Sequence, residues 1–134
     1  MREIEYRAWL KDEKKMVKVD AIDFRQKIIF YTEEREIDGE IIDTLQTRKF
    51  NEIELMQYTM LKDNNNDEIY EEDIVEILTE VEEYGVVKFS DGAFYVEADG
   101  FRVNFYDNIV GGDVVVIGNI YENPELLPDL LEEV

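Results

Sequence analysis

The sequence contains neither cysteine nor histidine. Without cysteine the chain can form no disulfide and no thiolate metal site. Without histidine it lacks the commonest protein metal ligand and the one side chain whose unperturbed pKa lies near neutral pH. The usual forms of zinc catalysis, of the Ser-His-Asp triad and of Cys-His nucleophilic catalysis are therefore excluded. We expect a non-enzymatic protein with no catalytic residues, no cofactor and no bound metal.

Long apolar runs are also missing, since the longest, such as Val114–Ile117, have only four residues. A membrane-spanning helix needs about 18 or more. The first residues, MREIEYRAWLKDEKK, contain no apolar stretch of the kind that a secretory signal requires. We expect a cytoplasmic protein that does not contact membranes.

Cations are scarce in the larger part of the chain. Residues 51–134 carry 3 Lys and Arg against 22 Asp and Glu, whereas residues 1–50 carry 11 against 12. Such a surface repels nucleic acid and anionic membranes. The charge has three interpretations: it keeps the protein soluble, it attracts a basic partner, or it organises self-association.

The remaining pattern is typical of short antiparallel strands. Apolar alternation predicts a first strand at Glu3–Leu10, and glycine-containing turns then recur at intervals of roughly 8–12 residues. We expect an all-β, mainly antiparallel fold in one domain over residues 1–134, with an SH3-like small barrel at residues 69–121 and short helices. An α+β fold is the alternative. Further strands are predicted at Met16–Ala21, Lys27–Thr32, Ile74–Val81, Tyr84–Ser90, Ala93–Glu97, Phe101–Tyr106 and Val114–Tyr121.

Asp38-Gly39 is the strongest hairpin signal in the chain, because a type I′ turn needs positive φ at both central residues. It predicts a two-stranded ribbon from residues 28–37 and 40–47. The outward face of this ribbon is highly charged, so we expect residues 27–50 to project from the domain.

The C-terminal residues 122–134 predict a short helix. Asn123 suits the N-cap and Pro124 the first helical position, while Pro128 should kink the helix. The helix carries an apolar stripe that packs either on its own domain or on a second subunit. The stripe is the candidate interface and consists of Leu126, Leu127, Leu130, Leu131 and Val134.

Five segments resemble, in this order, the YopX family of phage and prophage proteins from Gram-positive bacteria. They cover both ends and the middle of the chain, and their combination is specific. The resemblance implies a β-rich, partly barrel-like fold, a phage or prophage origin and no established activity. It also implies self-assembly, and a cytoplasmic location in an infected or lysogenic host. The segments are REIEYRAW, IELMQYTMLKD, EIYEEDIV, GVVKFSDGAFY and VIGNIYENPELL.

Two positions depart from the family pattern. Met60 and Glu72 stand where the family usually carries glycine, and both residue types adopt positive φ poorly. The sequence therefore leaves the turn geometry at these two residues open. Asn66, near a third such position, tolerates positive φ.

Three candidate sites have structural interpretations. Asp63, Asn65 and Asp67 match the first ligands of a calcium loop, but Glu68 replaces the required glycine and Ile74 the bidentate glutamate. Close carboxylate pairs are expected by chance in so acidic a chain, as at Glu71 with Asp73 and Glu82 with Glu83. The aromatic residues lack the interleaved cations of a nucleic-acid platform and predict core packing. They are Tyr58, Tyr70, Tyr84, Tyr95, Phe101, Phe105, Tyr106 and Tyr121.

Two functional hypotheses follow. The first is a phage accessory protein that works through protein–protein contacts and self-associates as a homo-oligomer. The second is an acidic DNA mimic that inhibits a basic host DNA-binding protein, since spaced carboxylates can imitate phosphates. Neither hypothesis includes direct nucleic-acid binding.

Overall fold

The computed structural model describes residues 3–78, 83–98, 101–105 and 113–126. The protein is all-β with antiparallel sheets, 66% strand and 6% helical, so the predicted fold class is confirmed. Two 3-10 turns occur in the described residues, at Phe50–Glu52 and Pro124–Leu126. The strands are β1 (Tyr6–Leu10), β2 (Lys15–Lys18), β3 (Ala21–Asp23), β4 (Ile28–Ile37), β5 (Glu40–Lys49), β6 (Ile53–Lys62), β7 (Glu68–Tyr70), β8 (Asp73–Ile77), β9 (Glu83–Ser90), β10 (Ala93–Ala98), β11 (Phe101–Asn104) and β12 (Val114–Asn119).

The chain divides into two compact units. The hairpin unit is Glu5–Met56, and the sheet unit is Met1–Ile4 together with Gln57–Val134. Strand β6 begins in the hairpin unit and ends in the sheet unit. In the described residues no helix is long and apolar enough to cross a membrane.

Strands β4 and β5 form the long ribbon of the hairpin unit. They pair without a register shift from Ile28 opposite Lys49 to Ile37 opposite Glu40. Asp38 and Gly39 join them with φ of 53° and 82°, the positive values that a type I′ turn requires. The predicted hairpin is therefore confirmed. Strand β4 extends to Ile37, five residues beyond the end of the predicted third strand at Lys27–Thr32.

The core of the hairpin unit lies at the base of this ribbon. Alternation along β1 buries Ala8 and Leu10 on one face, as the sequence pattern predicts. The strand begins at Tyr6, three residues after the predicted start at Glu3, and Ile4 precedes it and is exposed. The core residues are Ala8, Leu10, Val17, Ile29, Tyr31 and Ile53.

The sheet unit is built on a five-stranded antiparallel sheet in the order β11-β10-β9-β8-β12, which curls as a half-barrel. Asp91-Gly92 makes the predicted turn between β9 and β10, with φ of 54° and 80°. The predicted turns at Asp99-Gly100 and Gly111-Gly112 lie outside the described residues. The main core consists of Ile69, Val75, Ile77, Val87, Phe94, Val96, Ala98, Phe105 and Val114.

Met60 and Glu72 both keep a glycine-like backbone, with φ of 71° and 68°. Met60 lies where β6 and β7 change register between Tyr58 and Lys62. At Glu72 both backbone groups are bonded, the N–H to the Val87 carbonyl at 2.8 Å and the carbonyl to the Ile120 N–H at 3.1 Å. The surrounding hydrogen bonds therefore impose a conformation that costs a residue with a Cβ about 1–2 kcal/mol.

Candidate interaction surface

The tip of the β4–β5 hairpin carries large aliphatic side chains in contact with solvent. Ile41 is 75% exposed and Leu45 67%, while Ile37 and Ile42 are 46% and 39% exposed. Every residue from 34 to 43 is exposed. Because β3 pairs only with residues 28–30 of β4, the rest of the ribbon is two-stranded within the part of the chain that the structure describes. A two-stranded ribbon has no further strand or helix against which to bury these side chains.

The exposed side chains lie on both faces of the ribbon. Successive side chains of a strand alternate between faces, so Ile41 and Leu45 share one face and Ile42 lies on the other. Ile37 is opposite Glu40 and thus lies on the face of Ile42. Residues 33–43 also contain six carboxylates and one cation, Arg35. The tip is therefore both apolar and acidic.

An arginine anchors the base of the hairpin. The Arg48 Nη2 lies 2.7 Å from the Glu13 carboxylate and 3.4 Å from Asp12, and its guanidinium lies 5.6 Å from the centre of the Tyr31 ring. These contacts join β4 and β5 to the turn after β1. They leave the tip as the freely exposed part of the ribbon.

Burial shifts the pKa values at this anchor. Burial raises the pKa of the Tyr31 phenol above 10.0; Arg48 opposes this rise, and the nearby carboxylates add to it. For Arg48, burial lowers the pKa, but Tyr31, Asp12 and Glu13 outweigh that effect and raise the pKa above its ordinary value. Both groups therefore keep their ordinary neutral-pH forms, the neutral phenol and the charged guanidinium.

The two units differ in net charge almost as residues 1–50 and 51–134 of the sequence do. The hairpin unit carries 10 cations against 13 carboxylates, a net charge of −3. The sheet unit carries 4 against 21, a net charge of −17. The strongly acidic part of the chain is thus a structural unit and not only a stretch of sequence.

Asp63, the first residue of the incomplete calcium-loop pattern, stabilises the loop at residues 63–67. Its buried carboxylate accepts from the N–H groups of Asn65 and Asp67 through Oδ1 and from that of Val116 through Oδ2, each at 2.9 Å. Asn66 has φ of 67°, in line with the tolerance of asparagine for this region. The Asp63 carboxylate thus has a structural role in this loop.

The proposed carboxylate pair of Glu71 and Asp73 also bonds to backbone. Glu71 Oε1 accepts from the Gln57 N–H at 2.8 Å, and the buried Asp73 accepts from the Tyr70 N–H at 2.8 Å. Burial raises the pKa of Glu71 above 4.5, and the neighbouring Glu72 adds to the rise. Glu82 lies outside the described residues. Glu71 and Asp73 thus bond to the backbone of β6 and β7.

The predicted core role of the aromatic residues holds for part of the set. Tyr58, Tyr70 and Phe105 are buried, and the first two rings lie 5.4 Å apart. Tyr84 is exposed instead. Tyr95 lies under the guanidinium of Arg102, 3.6 Å from the ring centre. The Phe101 side chain and Tyr106 lie outside the described residues.

The C-terminal stripe is described only at its start. Leu126 ends the 3-10 turn Pro124–Leu126 and is 40% exposed. The preceding turn is fixed by Asn119, whose Oδ1 accepts from the N–H groups of Tyr121 and Glu122 at 3.0 and 2.8 Å. The other stripe residues, Leu127, Leu130, Leu131 and Val134, lie outside the described residues, so the stripe stays a prediction.

The sequence pattern gave the charge of the hairpin but not its exposed aliphatic residues. The available signal was the placement of Ile37, Ile41 and Ile42 immediately around a two-residue turn. At the tip of a hairpin such side chains are beyond the reach of a core formed at its base. Leu45 carries no comparable signal, because it lies further along β5 and its exposure depends on which segments of the chain pack beside the ribbon.

Together these features define an all-β protein of antiparallel sheets with an exposed apolar and acidic hairpin. The chain belongs to the YopX family, because the family model described as "YopX protein" matches residues 5–128. It is also similar to a solved structure, the crystal structure of protein EF1440 from Enterococcus faecalis, with 28% sequence identity and a TM-score of 0.64. That match covers 95% of this chain and 99% of the other. No curated protein matches the sequence.

Proposed function

We propose that the chain is a non-enzymatic phage or prophage accessory protein that acts through protein–protein contacts and self-associates. The supporting observation is the hairpin tip, which exposes Ile37, Ile41, Ile42 and Leu45 within nine residues. Single exposed aliphatic residues are ordinary on protein surfaces, but a cluster is typical of an interaction site. Membership of the YopX family supports the phage or prophage context through the resemblance described above.

The absence of enzymatic activity is supported by the contacts of three carboxylates that are buried or half-buried. A general acid or base needs a carboxyl group that can reach a substrate. Asp63, Asp73 and Glu71 accept hydrogen bonds from backbone N–H groups at 2.8–2.9 Å instead. Their protein contacts therefore account for their burial without a catalytic role.

Light scattering over a range of protein concentrations tests self-association. We expect the wild type to exceed the 15.9 kDa chain mass, and the double variant Ile41→Ser/Leu45→Ser to lose mass at the same concentration. Ile4→Ser is the matched control, since Ile4 is 62% exposed but lies outside the hairpin. A wild type that stays monomeric at the highest concentration contradicts the proposal.

The predicted C-terminal interface needs its own variant. Leu130→Lys/Leu131→Lys places two charges on the proposed apolar stripe while it leaves the hairpin unchanged. A loss of mass in this variant, with none in the hairpin variant, assigns the contacts to the stripe. The opposite result assigns them to the hairpin.

The second candidate is an acidic inhibitor that imitates DNA and binds a basic host protein. The net charge of −17 on the sheet unit favours it, because a surface of this charge attracts basic partners strongly at low salt. The test is a pull-down from host lysate with the wild type as bait. Capture of basic DNA-binding proteins that added DNA releases supports this candidate, and their absence contradicts it.

A further inference from the structure

We propose that β5 of one chain pairs antiparallel with β5 of a second copy, across a two-fold axis that passes through Leu45. This inference rests on the proposed self-association and names the surface that carries it.

Strand β5 is an unprotected edge of its sheet. The sheet order is β3-β4-β5, so among the described residues β5 pairs on one side only. Its ten residues pair with β4 without a bulge and include neither proline nor glycine. The central residues Thr44 to Thr47 carry no charge. An exposed edge of this length, without a bulge and uncharged at its centre, is a template for another strand.

The other edge of the ribbon is protected, which identifies β5 as the pairing strand. Beyond residue 30, β4 has no partner on its outer side among the described residues. This part of β4 contains four consecutive charged residues, Glu33 to Glu36. Charged side chains on an edge strand discourage pairing with another chain. The same ribbon therefore has one edge that resists pairing and one that permits it.

The charges along β5 favour a second copy as the partner. The strand begins with Glu40 and Asp43 and ends with Arg48 and Lys49. An antiparallel copy places the acidic half of each strand beside the basic half of the other. With Leu45 on the axis, Asp43 lies diagonal to Lys49 of the second copy, within reach of that long side chain, whereas a parallel arrangement would bring like charges together. The contact is isologous and closes as a dimer.

The side chains also select the register. With Leu45 on the axis, the two Leu45 side chains face each other and Ile41 faces the long aliphatic stem of Lys49 from the partner copy. With Thr44 on the axis, Asp43 would face Leu45 and Glu40 would face Arg48. Arg48 is already bonded to Glu13 at 2.7 Å. The Leu45-centred register therefore covers more apolar surface and needs no rearrangement of the hairpin base.

Single cysteines test this register directly, because the wild type contains none. Residues that face each other in antiparallel strands have Cα atoms about 4.5–5.5 Å apart, within the range of a disulfide. Leu45→Cys should form a disulfide-linked dimer under mild oxidation, seen on a non-reducing gel. Thr47→Cys is the matched control on the same strand face. In this register two such cysteines lie too far apart to bond, and so do those of Thr44→Cys.

A charge at the axis provides a second measurement. Leu45→Lys places two ammonium groups opposite each other and should raise the dimer Kd about tenfold in sedimentation. Ile37→Lys, on the protected edge, should leave it unchanged. Equal cross-linking at 44, 45 and 47, or stronger cross-linking at 44, overturns the inference. If the wild type is an oligomer but Leu45→Cys does not cross-link and Leu45→Lys does not raise the Kd, the β5 pairing is overturned while self-association stands. A monomeric wild type overturns both.

Discussion

The Glu72 carboxylate binds the Lys88 ammonium at 2.8 Å, while the Glu72 backbone lies in the left-handed region at φ 68°. The two features have opposite effects on stability. The backbone favours glycine, but a glycine would remove the partner of Lys88. The half-buried ion pair thus gives a physical reason for a glutamate where the family usually has glycine.

Glu72→Gly should therefore change the free energy of unfolding little in the wild type. Relief of backbone strain, about 1 kcal/mol, offsets the lost ion pair. In a Lys88→Met background the same change should stabilise by about 1 kcal/mol, since no ion pair remains to lose. Urea unfolding of the four proteins measures the coupling, which should fall with added salt. Equal effects of Glu72→Gly in both backgrounds would show that Lys88 plays no part.

Met60 is in the same backbone region without a comparable ion pair. Met60→Gly relieves the strain and should be about 1 kcal/mol more stable than Met60→Ala, which keeps a Cβ. The order is the reverse of that in an ordinary strand, where glycine costs about 0.5–1 kcal/mol relative to alanine. Thermal unfolding of both variants checks the order. An alanine variant as stable as the glycine variant would argue against strain at residue 60.

The sequence predicted the features that short-range chemistry determines. Asp38-Gly39 and Asp91-Gly92 gave two turns correctly, because their positive φ values are local requirements. The positive φ of Met60 and Glu72 could be read only as a departure from the family pattern. At Glu72 it accompanies bonds to the distant residues Val87 and Ile120, and at Met60 it accompanies a register shift between β6 and β7. The exposed edge of β5 could not be predicted for the same reason, since it depends on which other segments of the chain pair with the ribbon, and among the described residues β3 joins it on the β4 side.

Asp63→Ala should be among the most destabilising polar substitutions in the chain. It leaves three backbone N–H groups, those of Asn65, Asp67 and Val116, without their acceptor, and we expect a loss of about 3 kcal/mol. Asp63→Asn keeps one acceptor oxygen and should cost less. Asp67→Ala is the control, because the Asp67 carbonyl, not its side chain, accepts from the Asp63 N–H at 2.8 Å. Similar losses for Asp63→Ala and Asp67→Ala in urea unfolding would contradict this account.

Tyr31→Phe should leave the stability unchanged or raise it by up to about 1 kcal/mol. The Tyr31 hydroxyl is buried and has no hydrogen-bond partner among the described residues, so its removal leaves no group unsatisfied. The ring and its contact with Arg48 remain. Thr59→Val is the contrast: the Thr59 hydroxyl donates to the Ile69 carbonyl at 2.8 Å, and its loss should cost about 1–3 kcal/mol. If Tyr31→Phe destabilised as much as Thr59→Val in thermal unfolding, the hydroxyl would have to be hydrogen-bonded.

Glu71→Gln should stabilise the protein at neutral pH and have little effect in acid. Because burial raises the pKa of Glu71 above 4.5, the folded state binds the proton more tightly than the unfolded state. The stability that the protonated carboxyl contributes is complete below pH 4.5 and is lost as the pH rises through the folded pKa. The glutamine does not ionise, and its side-chain oxygen can still accept from the Gln57 N–H. The difference in unfolding free energy between Glu71→Gln and wild type should therefore grow with pH above 4.5 and then level off.

Glu76→Gln is the control for the general loss of one negative charge, because Glu76 belongs to the same sheet unit. An equal pH profile for the two variants would mean that net charge, and not the burial of Glu71, sets the dependence.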